Sequence, residues 1–125
     1  MPKYLVVASY TPEGANGLFQ GGGTARRAVV EKMLEGLGGR LEAFYFAFGE
    51  DDAYLTLDLP DNATAATISL AVKRTGAVRT RTIVLLTPEE IDQAVKKPVD
   101  YQPPKWEVQE VADAIDRMID EGGKD

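Results

Sequence analysis

The chain has 125 residues, 44% hydrophobic and 27% charged, with no cysteine, no histidine and a formal net charge of −6. That length suits one domain able to bury a core without covalent staples. The two missing residue types exclude disulfides, thiolate metal sites, ordinary zinc chemistry, His-ligated haem and every Ser-His or Cys-His arrangement.

The charge is uneven. Residues 1–98 carry 12 Asp and Glu against 11 Lys and Arg, a balance of −1, whereas residues 99–125 carry 8 against 3, a balance of −5. A nearly neutral body with an acidic tail argues against nucleic acid as a partner, because that association rests on clustered basic residues neutralising phosphates. No apolar run approaches the roughly 18 to 20 residues needed to span a bilayer, and a strand begins directly after Met1-Pro2. The expectation is a cytoplasmic protein without membrane attachment, metal or cofactor.

Residues 3–10 form a short apolar, β-branched run and predict the first strand. Thr11-Pro12-Glu13-Gly14 predicts a turn or one helical turn with Thr11 as cap and Pro12 inside it, and the stretch through Gly21-Gly22-Gly23 predicts a flexible loop or lid. Thr24 is the expected cap of a helix whose apolar positions Val30, Met33, Leu34 and Leu37 follow i, i+3, i+4, i+7, with Gly38 just past its end. Leu41 to Phe48 and Ala53 to Leu59 then flank Gly49-Glu50-Asp51-Asp52 and predict a β-hairpin. In its first strand a period of two puts Glu42, Phe44, Phe46 and Phe48 on one face and Leu41, Ala43, Tyr45 and Ala47 on the other. Neither face is polar. Helices can cover one side, and a second copy of the chain is expected on the other.

Pro60 stops the hairpin, Asp61 caps a helix through about Thr75 with Ala65, Ile68 and Val72 as its inner stripe, and Gly76 ends it. Residues 78–86 predict the fourth strand. Thr87-Pro88-Glu89-Glu90 is a capping box opening a helix with Ile91, Ala94 and Val95 on one face and Lys96-Lys97 in its last turn. The order is β-α-β-β-α-β, an α+β, ferredoxin-like arrangement over residues 1–97. Residues 98–125 add a linker with three prolines and an acidic amphipathic helix whose apolar positions include Val108, Val111, Ile115, Met118 and Ile119.

The run Gly38-Gly39-Arg40-Leu41, then Phe44-Tyr45, Gly49 and Asp52, resembles the GYD-domain family, named for a Gly-Tyr-Asp signature at this hairpin turn. Tyr4, Thr11 and Gly14 near the start, and Val78-Arg79-Thr80 with Thr82 in the last strand, fit the same pattern over roughly residues 3–95. Asp51 stands where the signature tyrosine would fall, while Asp52 matches the signature aspartate. The resemblance implies a dimeric α+β barrel, in which two ferredoxin-like subunits press their sheets together. The wider barrel group includes cofactor-free monooxygenases, isomerases and haem enzymes, and the GYD branch itself implies no established activity.

Several side chains are candidates for chemistry. Glu50, Asp51 and Asp52 in succession can supply a general acid or base or hold a hard cation, or they form a solvated turn with Asp52 bonding nearby amides. Tyr10, Tyr45, Tyr54 and Trp106 can line an aromatic pocket, with Tyr10, Tyr45, Asp52 and Tyr54 as ligand-binding candidates. Arg79 and Arg81 share a strand face and, with Lys73 and Arg74, make the one basic cluster, suited to a substrate carboxylate or to an ion pair with the acidic tail. Gly21 to Arg26 at a helix start can cradle an anion with its amides. Three functions follow: a homodimeric small-molecule-binding or accessory protein with a pocket between sheet and helices; a cofactor-independent monooxygenase or isomerase using Tyr45, Asp52 and Arg79; or an assembly protein recruiting a partner through its last helix.

Overall fold

In the computed structural model, the backbone is described over residues 1–122 and the side chains over residues 1–104 and 110–122. Trp106 and Val108 of the sequence reading therefore lie outside the described side chains. Nine elements follow one another: β1 Lys3–Tyr10, α1 Pro12–Gly21, α2 Gly23–Gly36, β2 Arg40–Phe46, β3 Ala53–Asp58, α3 Asn62–Thr75, β4 Val78–Leu85, α4 Pro88–Ala94 and α5 Lys105–Gly122. The chain forms two compact units, one from Met1 to Glu90 and one from Ile91 onwards.

The first unit is a four-stranded sheet in the order β2-β3-β1-β4, antiparallel throughout. This is the ferredoxin-like α+β fold expected from the element order. The registers Val6↔Leu55 and Val6↔Thr82 align the side chains of three strands on one face. Tyr4, Val6, Ala8, Leu55, Leu57 and Leu59 point there and meet Val30 and Leu34 of α2 and Ala65 and Ile68 of α3 in the core. Tyr4 is 1% exposed and donates its hydroxyl to Asn62 Oδ1 at 2.5 Å, giving a buried phenol the partner it requires.

The hairpin departs from the simple period of two. Leu41 pairs with Leu57 and Ala43 with Thr56, so Glu42 is an extra residue, a bulge. The bulge carries Leu41 to the helix side with Phe44 and leaves Ala43 and Tyr45 on the opposite face, correcting the expected grouping of Leu41 with Tyr45. β2 also ends at Phe46, and Phe48 is fully exposed.

A second correction falls before the hairpin. Residues 12–21, expected as a turn or one helical turn and then a flexible loop, form the longer helix α1; Thr11 is its cap and Pro12 its first residue, as in the helical alternative, and the Thr11 hydroxyl accepts from the Gly14 N–H. Glycines at 14, 17 and 21 obscure any helical apolar period, yet the Thr-Pro-Glu start nucleates the helix regardless. Thr11 also donates its N–H and its hydroxyl to the Ala77 carbonyl. A Cβ at Gly14 would lie 2.0 Å from that same oxygen, so only glycine permits this approach. The expected cap Thr24 is not the cap of α2: Gly22, at φ 83°, ends α1 and begins α2 as a corner. Asp61 and Gly76 cap α3 as expected, and Thr87 and Glu90 exchange the two hydrogen bonds of a capping box.

In the second unit, α5 exposes Val111, Ile115, Met118 and Ile119. Among the described residues, no helix is long and apolar enough to cross a membrane.

Candidate functional site

The turn after β2 holds the acidic run. Asp52 Oδ2 accepts from the Tyr10 N–H at 2.7 Å, the Asp52 N–H donates to the Ala8 carbonyl, and its own carbonyl accepts from the Ala47 N–H. Both the side chain and the backbone of Asp52 thus tie the hairpin to the end of β1. Asp51 accepts from the Ser9 hydroxyl at 3.0 Å and stands 3.9 Å from Arg81. The three carboxylates do not gather as cation ligands: among the described residues, no group of three or more acidic side chains is placed to hold a metal.

The face of the sheet turned away from α2 and α3 carries Lys3, Leu5, Val7, Ala43, Tyr45, Tyr54, Asp58, Arg79, Arg81 and Ile83. Tyr45 and Tyr54 are cross-strand partners and both are exposed, at 71% and 40%. At one end of this face Asp58 is buried between Lys3 Nζ at 2.9 Å and Arg40 Nη2 at 2.7 Å, and Lys3 also pairs with Glu42. The hydrogen bond from Lys3 holds the Asp58 carboxyl below the usual carboxylate value against the opposing effect of burial, with Arg40 adding to it. Glu42 and then Asp58 raise the Lys3 ammonium. Hydrogen bonds from the Thr64 hydroxyl and N–H lower Asp61 at the start of α3. Arg79 is exposed on the open face beside Ser9.

On the other face, between the sheet and α2 and α3, lies a cavity of about 100 Å³. Its walls are mostly aliphatic, and its polar members are Tyr10, Ser69, Thr80, Thr82 and Arg26. Arg26 is the one charged residue among them. It adjoins a wider cleft of about 540 Å³ between α1, α2 and α3, and the two spaces share Tyr10, Arg26, Val29, Met33, Val72 and Val78. Small residues of α1, Gly14, Gly17 and Gly21, form one wall of that cleft, and Glu13 is its acidic member. The Arg26 Nε lies out of contact with solvent and has no hydrogen-bond acceptor among the described residues.

The candidate residues therefore divide between the two faces of the sheet. Tyr10 lines the cavity, Tyr45, Tyr54 and Arg79 lie on the opposite face, and Asp52 serves the turn between them. Arg26 was missed as a side chain, having been read only within a backbone anion cradle. Of the two arginines between Ala25 and Val29, Arg26 stands three and four residues before the apolar positions Val29 and Val30, and that helical spacing was the available signal. The same is true of Thr80 and Thr82, two hydroxyls at helix-facing positions of β4.

A solved structure, the feast or famine regulatory protein from M. tuberculosis complexed with L-methionine, is similar at 16% identity with a TM-score of 0.45. The match covers 82% of this chain and 56% of that one, so the chain spans little more than half of that protein's length. No curated protein matches the sequence. The family model of the GYD domain matches residues 4–95, from the buried Tyr4 through the Asp52 turn to the end of the helix that follows β4, and the chain belongs to the GYD domain family.

Proposed function

We propose that this protein is a homodimeric small-molecule-binding or accessory protein of the cytoplasm, with its ligand held between the sheet and its helices in each subunit. The observation that carries this reading is the aliphatic cavity with a few polar groups in its lining, adjoining a cleft of the size that small-molecule sites commonly have. The dimer is supported by the open face of the sheet. Leu5, Tyr45, Tyr54 and Ile83 make a largely apolar surface that a second copy would cover, with the ion pairs of Lys3, Arg40 and Asp58 at its border. The cofactor-independent enzyme has less support, since Asp52 is engaged by backbone groups and Tyr45 faces away from the cavity.

Native mass spectrometry of the protein purified from its own host, followed by mild denaturation to release bound molecules, tests both parts. A dimer carrying a defined small molecule is the expected result, and a monodisperse monomer at micromolar concentration would overturn the dimer. Tyr45→Asp is expected to dissociate the dimer, whereas Ile115→Asp leaves it intact. The reverse pattern would favour assembly through α5, whose exposed apolar stripe supports that second reading.

A further inference from the structure

The geometry points to a small aliphatic carboxylate as the ligand of this cavity, with Arg26 as the residue that binds its charge; this inference rests on the cavity being the ligand site.

A guanidinium N–H withdrawn from solvent without an acceptor is costly in a protein interior. Arg26 has this arrangement at the junction of the cavity and the cleft. No acidic side chain lines the inner cavity, and among the described residues none accepts from the Arg26 Nε. Arg26 is only partly buried as a residue, and an entering ligand with an acceptor would complete the one N–H that the fold leaves unbonded. A carboxylate matches the planar fork of a guanidinium with two parallel hydrogen bonds. One arginine balances one negative charge. A phosphate dianion would bring a second charge into a space whose other polar groups are neutral hydroxyls, and an uncompensated charge there is strongly disfavoured.

The apolar end of the ligand is set by volume. The inner space of about 100 Å³ is smaller than the ~150 Å³ that admits benzene, so it suits a short or branched aliphatic group rather than a ring. Tyr10, Thr80 and Thr82, on neighbouring strands of the same face, place hydroxyls beside the route from the aliphatic walls towards Arg26. Larger acids would extend from the carboxylate into the cleft lined by the glycines of α1.

The test compares 4-methylpentanoate with 4-methylpentanamide, which keeps the skeleton and removes the charge, by isothermal titration on the full-length wild-type chain. Methyl chemical shifts of Val6, Val30 and Ile68 report whether each probe occupies the cavity. The carboxylate is expected to bind about tenfold to a hundredfold more tightly than the amide, the range for a hydrogen bond to a charged group. Arg26→Gln, checked for folding by circular dichroism, is expected to lower carboxylate affinity to that of the amide and to leave amide affinity unchanged. Equal binding of the two probes to the wild type would overturn the assignment of charge while leaving the cavity as a ligand site. A carboxylate advantage that survives in folded Arg26→Gln would overturn the role of Arg26. If neither probe binds at millimolar concentration, the cavity reading itself fails, and the inference with it.

Discussion

The Asp52 turn and the Arg26 cavity lie on the same small domain and handle a charged side chain in opposite ways. Asp52 stands in a run of three acidic residues, the more conspicuous feature in the sequence, and its carboxylate receives a backbone N–H while its own amide and carbonyl close two further bonds. Arg26 is inconspicuous in the sequence, and the structure leaves its Nε without an acceptor. A charged group that accepts a backbone N–H within the fold has a structural role that accounts for it. A charged group left incomplete beside an apolar cavity does not, and there a ligand would find both an electrostatic partner and room.

The contrast is open to measurement. Asp52→Ala should show the largest effect, a loss of about 2 kcal/mol in urea unfolding, because the Tyr10 N–H loses a charged acceptor in a partly buried position. Carboxylate binding in the still-folded variant should be unchanged; a parallel loss would place Asp52 in the ligand site and dissolve the distinction.

The Asp58 cluster should come next and should depend on pH. Its folded carboxyl is held below the value of about 3.9 that it has in the unfolded chain, so its contribution is present above that value and lost as the pH falls through the folded one. Asp58→Asn should cost about 1 kcal/mol at pH 7. Unfolding series at pH 7, 5, 4 and 3 should show the gap between wild type and variant narrowing at the acid end. A gap constant over that range would mean that Lys3 and Arg40 do not favour the ionised form.

The smallest effect on stability is expected at Arg26. Exchanging an incompletely bonded cation for an apolar side chain of similar length is neutral or favourable, so Arg26→Met should lie within about 0.5 kcal/mol of wild type or above it. A loss as large as that of Asp52→Ala would show that Arg26 is a structural residue after all.

The site was legible only in part. Tyr10 stood among the expected ligand residues and does line the cavity. As aromatic residues Tyr45 and Tyr54 are expected beside it in one pocket, yet they belong to the opposite face of the sheet. A strand period of two assigns parity within one strand, whereas which parity meets the helices depends on how strands register against each other. In β2 the Glu42 bulge altered even the parity. Tyr4, Thr11, Gly14 and Asp52, which carried much of the resemblance, are all placed in structural contacts: a buried phenol, a helix cap, a close approach to Ala77 and a backbone acceptor.

By itself the sequence determined what is local. Capping residues such as Asp61 and Thr87, the glycine at 76 and the alternating apolar strands act over a few residues, and together they prescribe the element order from which the ferredoxin-like fold follows. It also excluded cysteine and histidine chemistry outright. Only the tertiary structure decided that residues 12–21 continue as a helix docked on Ala77, that the bulge turns Leu41 inward, and that Arg26 meets a cavity with its Nε unbonded. Each depends on groups distant in sequence meeting at particular distances, and hydrogen-bond completeness and empty volume are properties of that meeting rather than of any segment.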